Sequence, residues 1–323
     1  MAKNMIRVAI LLTFVIGVFA SSARLTRGQN APAPANNPKV ETVATLPSSG
    51  PTENICQTKD GNFFVTGIDD RVLYKISPSG TVEKFYTMPT LAAFVGVATN
   101  DNGFALISFG KPFRHPAPGA APGGPQVIDF SDVDPAIQVL DKSGKFIATI
   151  PGQMGEAFNG IALAGKDWYL AADSNAGSVW RIDPGKKKIE LWIKNDVFAP
   201  VKPPVQGGAN GGANGIKVHN GFAYVGSRGA VYRVKIGSGG KAEGDPVMFA
   251  QVRYDDFAIA PDGAIYGPVG NTITKVSPTG EVSKFLEDVP TGPGAWVTAD
   301  GKWLYWPTRG GAAPQRLVRT AIP

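Results

Sequence analysis

One structural unit recurs along the chain of 323 residues, and this repetition limits the possible folds more than any other feature. Each unit consists of an apolar strand, a turn that contains glycine, a second strand, a loop, a third strand and a short fourth strand. The first two strands are clearest in ENICQTKDGNFFVTG (53–67), NGIALAGKDWYLAAD (159–173), NGIKVHNGFAYVG (214–226) and DDFAIAPDGAIYG (255–267). Four antiparallel strands that repeat at this spacing are typical of the blades of a β-propeller.

The first strands of the units begin at six positions, which are Glu53, Val95, Asn159, Asn214, Asp255 and Pro293. We therefore predict an all-β fold, a six-bladed β-propeller with four antiparallel strands per blade. The last unit lacks a fourth strand, and VETVATL (40–46) is a suitable one at the other end of the chain. Closing the last blade with this N-terminal strand would remove two exposed sheet edges. The 40 glycines and 27 prolines agree with short strands joined by many turns.

The N-terminus has the organisation of a targeting segment followed by a linker. Basic residues precede an apolar run of 13 residues, 8–20, and small residues follow it. This pattern predicts a signal peptide over 1–23, an Ala/Pro-rich linker over 24–38 and the propeller over 39–323. The apolar run is shorter than the roughly 20 residues of a membrane-spanning helix. We therefore expect a secreted or periplasmic protein without stable membrane insertion after cleavage, with an uncleaved N-terminal anchor as the alternative.

Charge and cysteine content exclude several classes of protein. Residues 1–38 hold four basic and no acidic residues, so the remaining chain has a net charge of only +2 and nucleic acid is not an expected partner. The single cysteine, Cys56, excludes a disulfide framework and a multi-cysteine metal site, and we interpret it as a small buried residue. The sequence contains no serine-hydrolase elbow, phosphate loop or dinucleotide fingerprint.

Both long insertions of the chain are expected on one face of the propeller. Loops that lead into strand one and loops between strands two and three share a face, here called the top face. The insertions 109–135 and 195–213 fall on this face, whereas the turns of the opposite face are short, such as SPSG (77–80). Long loops on a rigid scaffold commonly carry function. We therefore expect the functional site on the top face.

Polar side chains are concentrated at the strand starts, which we expect to point into the central channel at its top mouth. Four of the six are Glu53, Asn159, Asn214 and Asp255, where chance would place fewer than one such residue. Two carboxylates and two amide oxygens form a hard donor set suited to Ca²⁺, Mg²⁺ or Mn²⁺. A simpler interpretation is that these residues only cap turns, but it does not explain Glu53.

With these residues in six blades, the chain resembles the senescence-marker-protein/gluconolactonase (regucalcin-like) propellers. NGIAL and NGIKV are the clearest local matches, and the resemblance covers nearly all of 39–323. It implies that Glu53, Asn214 and Asp255 hold one divalent cation, with Ca²⁺ favoured over Mg²⁺, Mn²⁺ or Zn²⁺. It also implies that Asn159 binds the substrate and that Asp255 assists the attack of water on a lactone whose carbonyl the cation polarises.

Local departures from the family pattern bear on the substrate. The family usually has Gly-Pro after its Glu, where this chain has Asn54 and Ile55, and usually has Gly where this chain has Asp256. Ala157 stands where sugar-lactone members have an arginine. Apolar and aromatic side chains such as Phe158 neighbour the strand starts. The sequence therefore favours a hydrophobic lactone or ester over a sugar-acid lactone.

The predicted function is a secreted, divalent-metal-dependent hydrolase of a lactone or related ester, gluconolactonase-like and acting as a monomer on a small molecule. The alternative from another class is a propeller that binds a ligand or partner without turnover, because propellers serve both uses. Lyase, isomerase or cyclisation chemistry in the same channel also stays open.

Overall fold

The computed structural model describes residues 38–323 apart from short internal gaps. The gaps are 49, 90–92, 112–113, 117–118, 120–125, 129–132, 154, 202–210 and 310–313. The predicted signal peptide and all but the last residue of the predicted linker lie outside the described residues. In the described part, no helix is long and apolar enough to cross a bilayer.

Short strands dominate the described chain, as its many turn residues predict. In chain order they are β1 (Glu41–Thr45), β2 (Thr52–Gln57), β3 (Phe63–Gly67), β4 (Val72–Ile76), β5 (Val82–Thr87), β6 (Ala93–Asn100), β7 (Gly103–Phe109), β8 (Arg114–Pro116), β9 (Gln126–Ile128), β10 (Pro135–Asp141), β11 (Phe146–Pro151), β12 (Phe158–Leu163), β13 (Tyr169–Asp173), β14 (Ser178–Asp183), β15 (Lys188–Lys194), β16 (Ile216–His219), β17 (Phe222–Ser227), β18 (Ala230–Ile236), β19 (Ala242–Ala250), β20 (Ala258–Ile259), β21 (Ile265–Val269), β22 (Thr272–Val276), β23 (Val282–Leu286), β24 (Trp296–Val297), β25 (Trp303–Pro307) and β26 (Arg316–Ala321). The described helices are two short 3₁₀ turns, Asp196–Phe198 and Ser238–Gly240.

The strands form six four-stranded antiparallel sheets, so the predicted six-bladed propeller is confirmed. The strand orders are β2-β3-β4-β5, β6-β7-β10-β11, β12-β13-β14-β15, β16-β17-β18-β19, β20-β21-β22-β23 and β24-β25-β26-β1. A small hairpin of β8 and β9 lies in the insertion between β7 and β10. This insertion joins strands two and three of blade two, and the other long insertion leads from β15 into blade four. The described ends of both insertions therefore lie at the top face, as the sequence predicts.

The N-terminal strand closes the ring in the way that the sequence predicts. β1 pairs antiparallel with β26, and Arg319 pairs with Glu41 across the seam at 3.0 Å. Ala44 and Leu46 are buried behind this pairing. Strand β1 is therefore the fourth strand of blade six.

The hydrophobic core is divided among the spaces between neighbouring blades. The ring centroids of Phe64 and Phe104 lie 4.5 Å apart between blades one and two, and those of Phe63 and Tyr305 lie 4.2 Å apart between blades one and six. Residues two positions after the predicted strand starts are buried, and they are Ile55, Val97, Ile161, Ile216, Phe257 and Ala295. Residues three positions after the starts line a central cavity of about 230 Å³, and they are Cys56, Ala98, Ala162, Lys217, Ala258 and Trp296.

Three inner strands begin later than the sequence predicts. β16 begins two residues after Asn214, β20 begins three after Asp255, and β24 begins three after Pro293. At blades four and five, a backbone N–H bonds to the next blade: that of Gly215 donates to the C=O of Asp255, and that of Asp256 donates to the C=O of Pro293. The predicted strand starts therefore form connections between blades rather than the first ladder positions within a blade.

Candidate functional site

A belt of backbone hydrogen bonds links blades three to six at the top mouth of the channel. Each bond runs from the N–H of the residue after one predicted strand start to the C=O of the next start. The donor and acceptor pairs are Gly160 and Asn214 (3.1 Å), Gly215 and Asp255 (2.8 Å), and Asp256 and Pro293 (2.9 Å). The belt fixes the backbone from which Asn159, Asn214 and Asp255 extend.

Glycine follows Asn159 and Asn214 because the next blade approaches too closely for a side chain. A Cβ on Gly160 would lie 2.6 Å from the carbonyl oxygen of Asn214, and one on Gly215 would lie 2.4 Å from Oδ1 of Asp256. Both distances are far inside van der Waals contact. The Asn-Gly pairs of the sequence therefore reflect contact between blades as well as the chemistry of the mouth.

Asn214 and Asp255, two of the predicted metal ligands, are in direct contact. Nδ2 of Asn214 donates to Oδ1 of Asp255 at 2.7 Å. Oδ1 of Asn214 is buried and has no hydrogen-bond partner within the described chain. Buried polar atoms without a partner are uncommon in proteins. This oxygen, beside a carboxylate, is suited to a cation.

Arg309, in the loop between β25 and β26, adds a positive charge that the sequence analysis missed. Its Nη2 lies 3.3 Å from Oδ2 of Asp255, whose side chain keeps 35% exposure toward the mouth. Burial raises the pKa of Asp255 above its usual 3.8, while Arg309 and the hydrogen bond from Asn214 oppose the rise and Asp256 adds to it. Burial is the main cause of the raised pKa of Asp255.

A buried polar cluster lies next to these residues in the channel and consists of Asn54, Asp256 and Lys217. Nζ of Lys217 lies 2.6 Å from both carboxylate oxygens of Asp256, and Nδ2 of Asn54 donates to Oδ2 of Asp256 at 2.8 Å. The side chains of Lys217 and Asp256 are only 13% and 6% exposed. The cluster joins blades one, four and five, the three blades that carry the predicted metal ligands.

The other two predicted residues lie on β2 and β12. Glu53 is buried at 9% exposure. The next residue, Asn54, donates a hydrogen bond to Asp256, which follows Asp255 in the chain. Asn159 is half-buried on β12. Their roles as metal ligand and substrate-binding residue stay predictions.

Cys56 and His219 have no hydrogen bond to the described residues of this arrangement. Cys56 is buried at 2% exposure, as the sequence predicts, and burial raises the pKa of its thiol. His219 ends β16 on the side away from the top face. His115 lies on β8, and its side chain is outside the described residues.

Lys217 and Arg309, the two basic residues that were not predicted, differ in whether the sequence could have indicated them. Lys217 stands three residues after a strand start, where the other five blades have Cys, Ala or Trp, so the alignment of the repeats contains a signal. Arg309 lies in the loop TRGGAAP, which has no counterpart in the other units. Its position at the mouth is visible only in the fold.

The donor set at the mouth fits a hard divalent cation. Throughout the described residues, no three His, Cys, Asp or Glu side chains cluster in a way that could hold a metal ion. A cation at the mouth therefore needs an amide oxygen in addition to carboxylates. Asn214 has such an oxygen without a donor, and oxygen-only sets of this kind suit Ca²⁺ better than Zn²⁺.

The sequence matches no protein-family model and no curated protein. Solved structures do match it. A gluconolactonase from Xanthomonas campestris aligns with a TM-score of 0.60 at 12% identity, covering 89% of this chain and 91% of that chain. The chain shares its fold with gluconolactonase.

Two further propellers align about equally well. Regucalcin from Agrobacterium tumefaciens, a calcium-binding protein, has a TM-score of 0.56 at 12% identity, covering 88% of this chain and 93% of that one. A PQQ-bound aldose sugar dehydrogenase from Streptomyces coelicolor has a TM-score of 0.56 at 14% identity, covering 90% and 100%. The predicted resemblance is thus confirmed at the level of the fold. Because a dehydrogenase has the same fold, the residues of the mouth must decide the reaction.

Proposed function

We propose that the chain is a secreted or periplasmic hydrolase that opens lactones or related esters with the help of one divalent cation. The contact between Asn214 and Asp255 carries the proposal, because it leaves a buried amide oxygen without a donor beside a carboxylate at the channel mouth. The shared fold with a gluconolactonase and with a calcium-binding regucalcin supports it. We expect the substrate to be a small molecule.

Glu53, Asn214 and Asp255 would hold the cation through oxygen atoms, for which Ca²⁺ is the best match. A cation bound there would act as a Lewis acid toward an ester carbonyl. The backbone belt and the cluster of Lys217 and Asp256 with Asn54 hold the three ligand-bearing blades in place. Little movement of the backbone is then needed when the cation arrives.

Asp255 is the residue to which we assign the general base. Its side chain keeps 35% exposure, so its carboxylate would be within reach of the attacking water. The hydrogen bond from Asn214 and the bound cation would both favour the ionised form that a base requires. Asp255 accepts one proton as water attacks the carbonyl carbon and returns it to the leaving alkoxide, which gives a hydroxyl group and a carboxylic acid. Asn159 orients the ligand through its side-chain amide.

Metal content tests the proposal directly. Purified wild-type protein is compared with Glu53→Gln, Asp255→Asn and the control Asp245→Asn, whose acid is exposed on β19. We expect about one divalent ion per wild-type chain by plasma mass spectrometry, retained in the control and lost in both mouth variants. Added Ca²⁺ should raise the melting temperature of wild type and control only.

The outcomes separate the two predicted functions. A wild type that binds no divalent cation, with melting unmoved by Ca²⁺, Mn²⁺ or Zn²⁺, contradicts the hydrolase proposal. A wild type that binds the cation but opens none of a panel of lactones and aryl esters favours the alternative of a binding propeller. Hydrolysis that disappears in Asp255→Asn but persists in Asp245→Asn supports the proposal.

A further inference from the structure

Arg309 has a fixed backbone and an exposed side-chain end. Its N–H donates to the carbonyl oxygen of Thr291 at 2.8 Å, and the preceding Thr308 is buried and accepts from the N–H of Arg316 at 3.0 Å. By contrast, 51% of the Arg309 side chain is exposed. Its contact with Asp255, at 3.3 Å, is longer than the usual range for a charge-assisted hydrogen bond. The guanidinium can therefore change partners while the backbone of Arg309 stays in place.

Under the proposed function, the carboxylate of Asp255 has two positively charged partners. Asp255 pairs with Arg309 in the structure, and it is also a predicted ligand of the divalent cation. Two positive charges close together on one carboxylate repel each other. A divalent cation, which is held by more than one ligand, would displace the more weakly held guanidinium. Arg309 would then stand at the mouth with its N–H donors available to a ligand.

We propose that Arg309 binds a carboxylate of the ligand at the channel mouth once a divalent cation has displaced it from Asp255. This inference rests on the proposed function. A guanidinium binds a carboxylate through two parallel hydrogen bonds, which a lysine cannot reproduce. The carboxylate has two possible sources, a substituent on the substrate or the acid group that ring opening creates.

The proposal revises the substrate that the sequence favours. By the family resemblance, Ala157 stands where sugar-lactone members have an arginine. Together with the apolar and aromatic neighbours of the strand starts, this leads the sequence to predict a hydrophobic lactone or ester. The structure supplies a guanidinium to the same mouth from blade six. An acidic ligand is therefore better matched than a hydrophobic one.

The first test measures Ca²⁺ affinity by calorimetry in wild type, Arg309→Met and the control Arg253→Met. Arg253 is exposed on the segment before β20 and makes no ion pair with a described residue. Because Arg309 competes with the cation, we expect Arg309→Met to bind Ca²⁺ several-fold more tightly than wild type, and the control to match wild type. Equal or weaker affinity in Arg309→Met overturns the inference, whereas absence of Ca²⁺ binding by wild type defeats the proposed function itself.

The second test measures carboxylate binding at saturating Ca²⁺ with three probes. They are γ-hydroxybutyrate, paraconate (a γ-butyrolactone that carries a carboxylate) and neutral γ-butyrolactone. We expect at least one carboxylate to bind wild type about tenfold or more tightly than Arg309→Met, with partial recovery in Arg309→Lys and no difference for the neutral lactone. If only the binding of paraconate depends on Arg309, the carboxylate belongs to the substrate. If only the binding of γ-hydroxybutyrate depends on Arg309, the carboxylate belongs to the product. Carboxylate binding that is absent, or equal in wild type and Arg309→Met, overturns the inference.

Discussion

Lys217 compensates the charge of Asp256 inside the channel. The ammonium lies 2.6 Å from both carboxylate oxygens, and Asp256 is only 6% exposed. Lys217→Met keeps most of the side-chain volume but leaves a buried carboxylate without its cation. Removing one partner of such a pair costs about 3–5 kcal/mol of unfolding free energy. We expect a loss of this size, measured by urea denaturation.

A double variant separates the loss of charge balance from the loss of packing. Lys217→Met combined with Asp256→Asn removes both charges and keeps a polar partner for Asn54. We expect it to recover most of the stability that the single variant loses, because no uncompensated charge remains. If the double variant is as unstable as Lys217→Met alone, packing of the lysine stem rather than charge explains its place in the channel.

The residues of the mouth show which positions can be predicted by aligning the repeats of the sequence. The contact between Asn214 and Asp255 is predictable because aligned strand starts share a radius in a closed ring, whereas the role of Glu53 stays a prediction. Lys217 is predictable by continuing the same alignment for three residues. Arg309 is not, because a loop outside the repeat has no equivalent position from which its direction can be inferred. Alignment predicts positions within blades, and only the closed ring shows which loops meet over the channel.

The turn before β12 contains a carboxylate whose titration should affect stability. Glu156 is 5% exposed and its Oε2 accepts from the N–H of Gln153 at 2.7 Å. Burial raises its pKa above the usual 4.5, the bond from Gln153 opposes the rise, and Asp173 adds to it. The folded protein therefore binds this proton more tightly than the unfolded chain. Its contribution to stability is fully present below about pH 4.5 and is lost as the pH rises through the folded pKa.

Glu156→Gln removes this titration and keeps an acceptor for Gln153. We expect the variant to have a higher urea midpoint than wild type at pH 7, and the difference to disappear near pH 4. Glu281→Gln, on an exposed turn, is the matched control and should follow wild type at every pH. A Glu156→Gln variant that is less stable than wild type at pH 7 would show that the hydrogen bond outweighs the cost of burying the charge.

The propeller as a whole depends on the pairing of the two ends of the described chain. β1 covers the edge of β26, buries Ala44 and Leu46, and brings the carbonyl of Val43 so close to blade one that a Cβ on Gly80 would lie 2.3 Å from it. The strand therefore closes blade six and also contacts blade one. The sequence predicts this closure because blade six would otherwise lack one strand.

A chain that begins at Pro47 lacks β1 and leaves β26 as an exposed edge. Loss of the buried Ala44 and Leu46 side chains alone should lower the unfolding free energy by about 2–4 kcal/mol, and the open edge should promote aggregation. Urea denaturation and light scattering measure the two effects. The control is a permuted chain in which 38–46 follow Pro323 through a short Gly-Ser linker, which antiparallel pairing with β26 allows. We expect the permuted chain to regain the wild-type midpoint. If the chain from Pro47 has the wild-type urea midpoint, the ring is stable without β1. If the permuted chain is unstable, the position of β1 in the chain matters in addition to its pairing with β26.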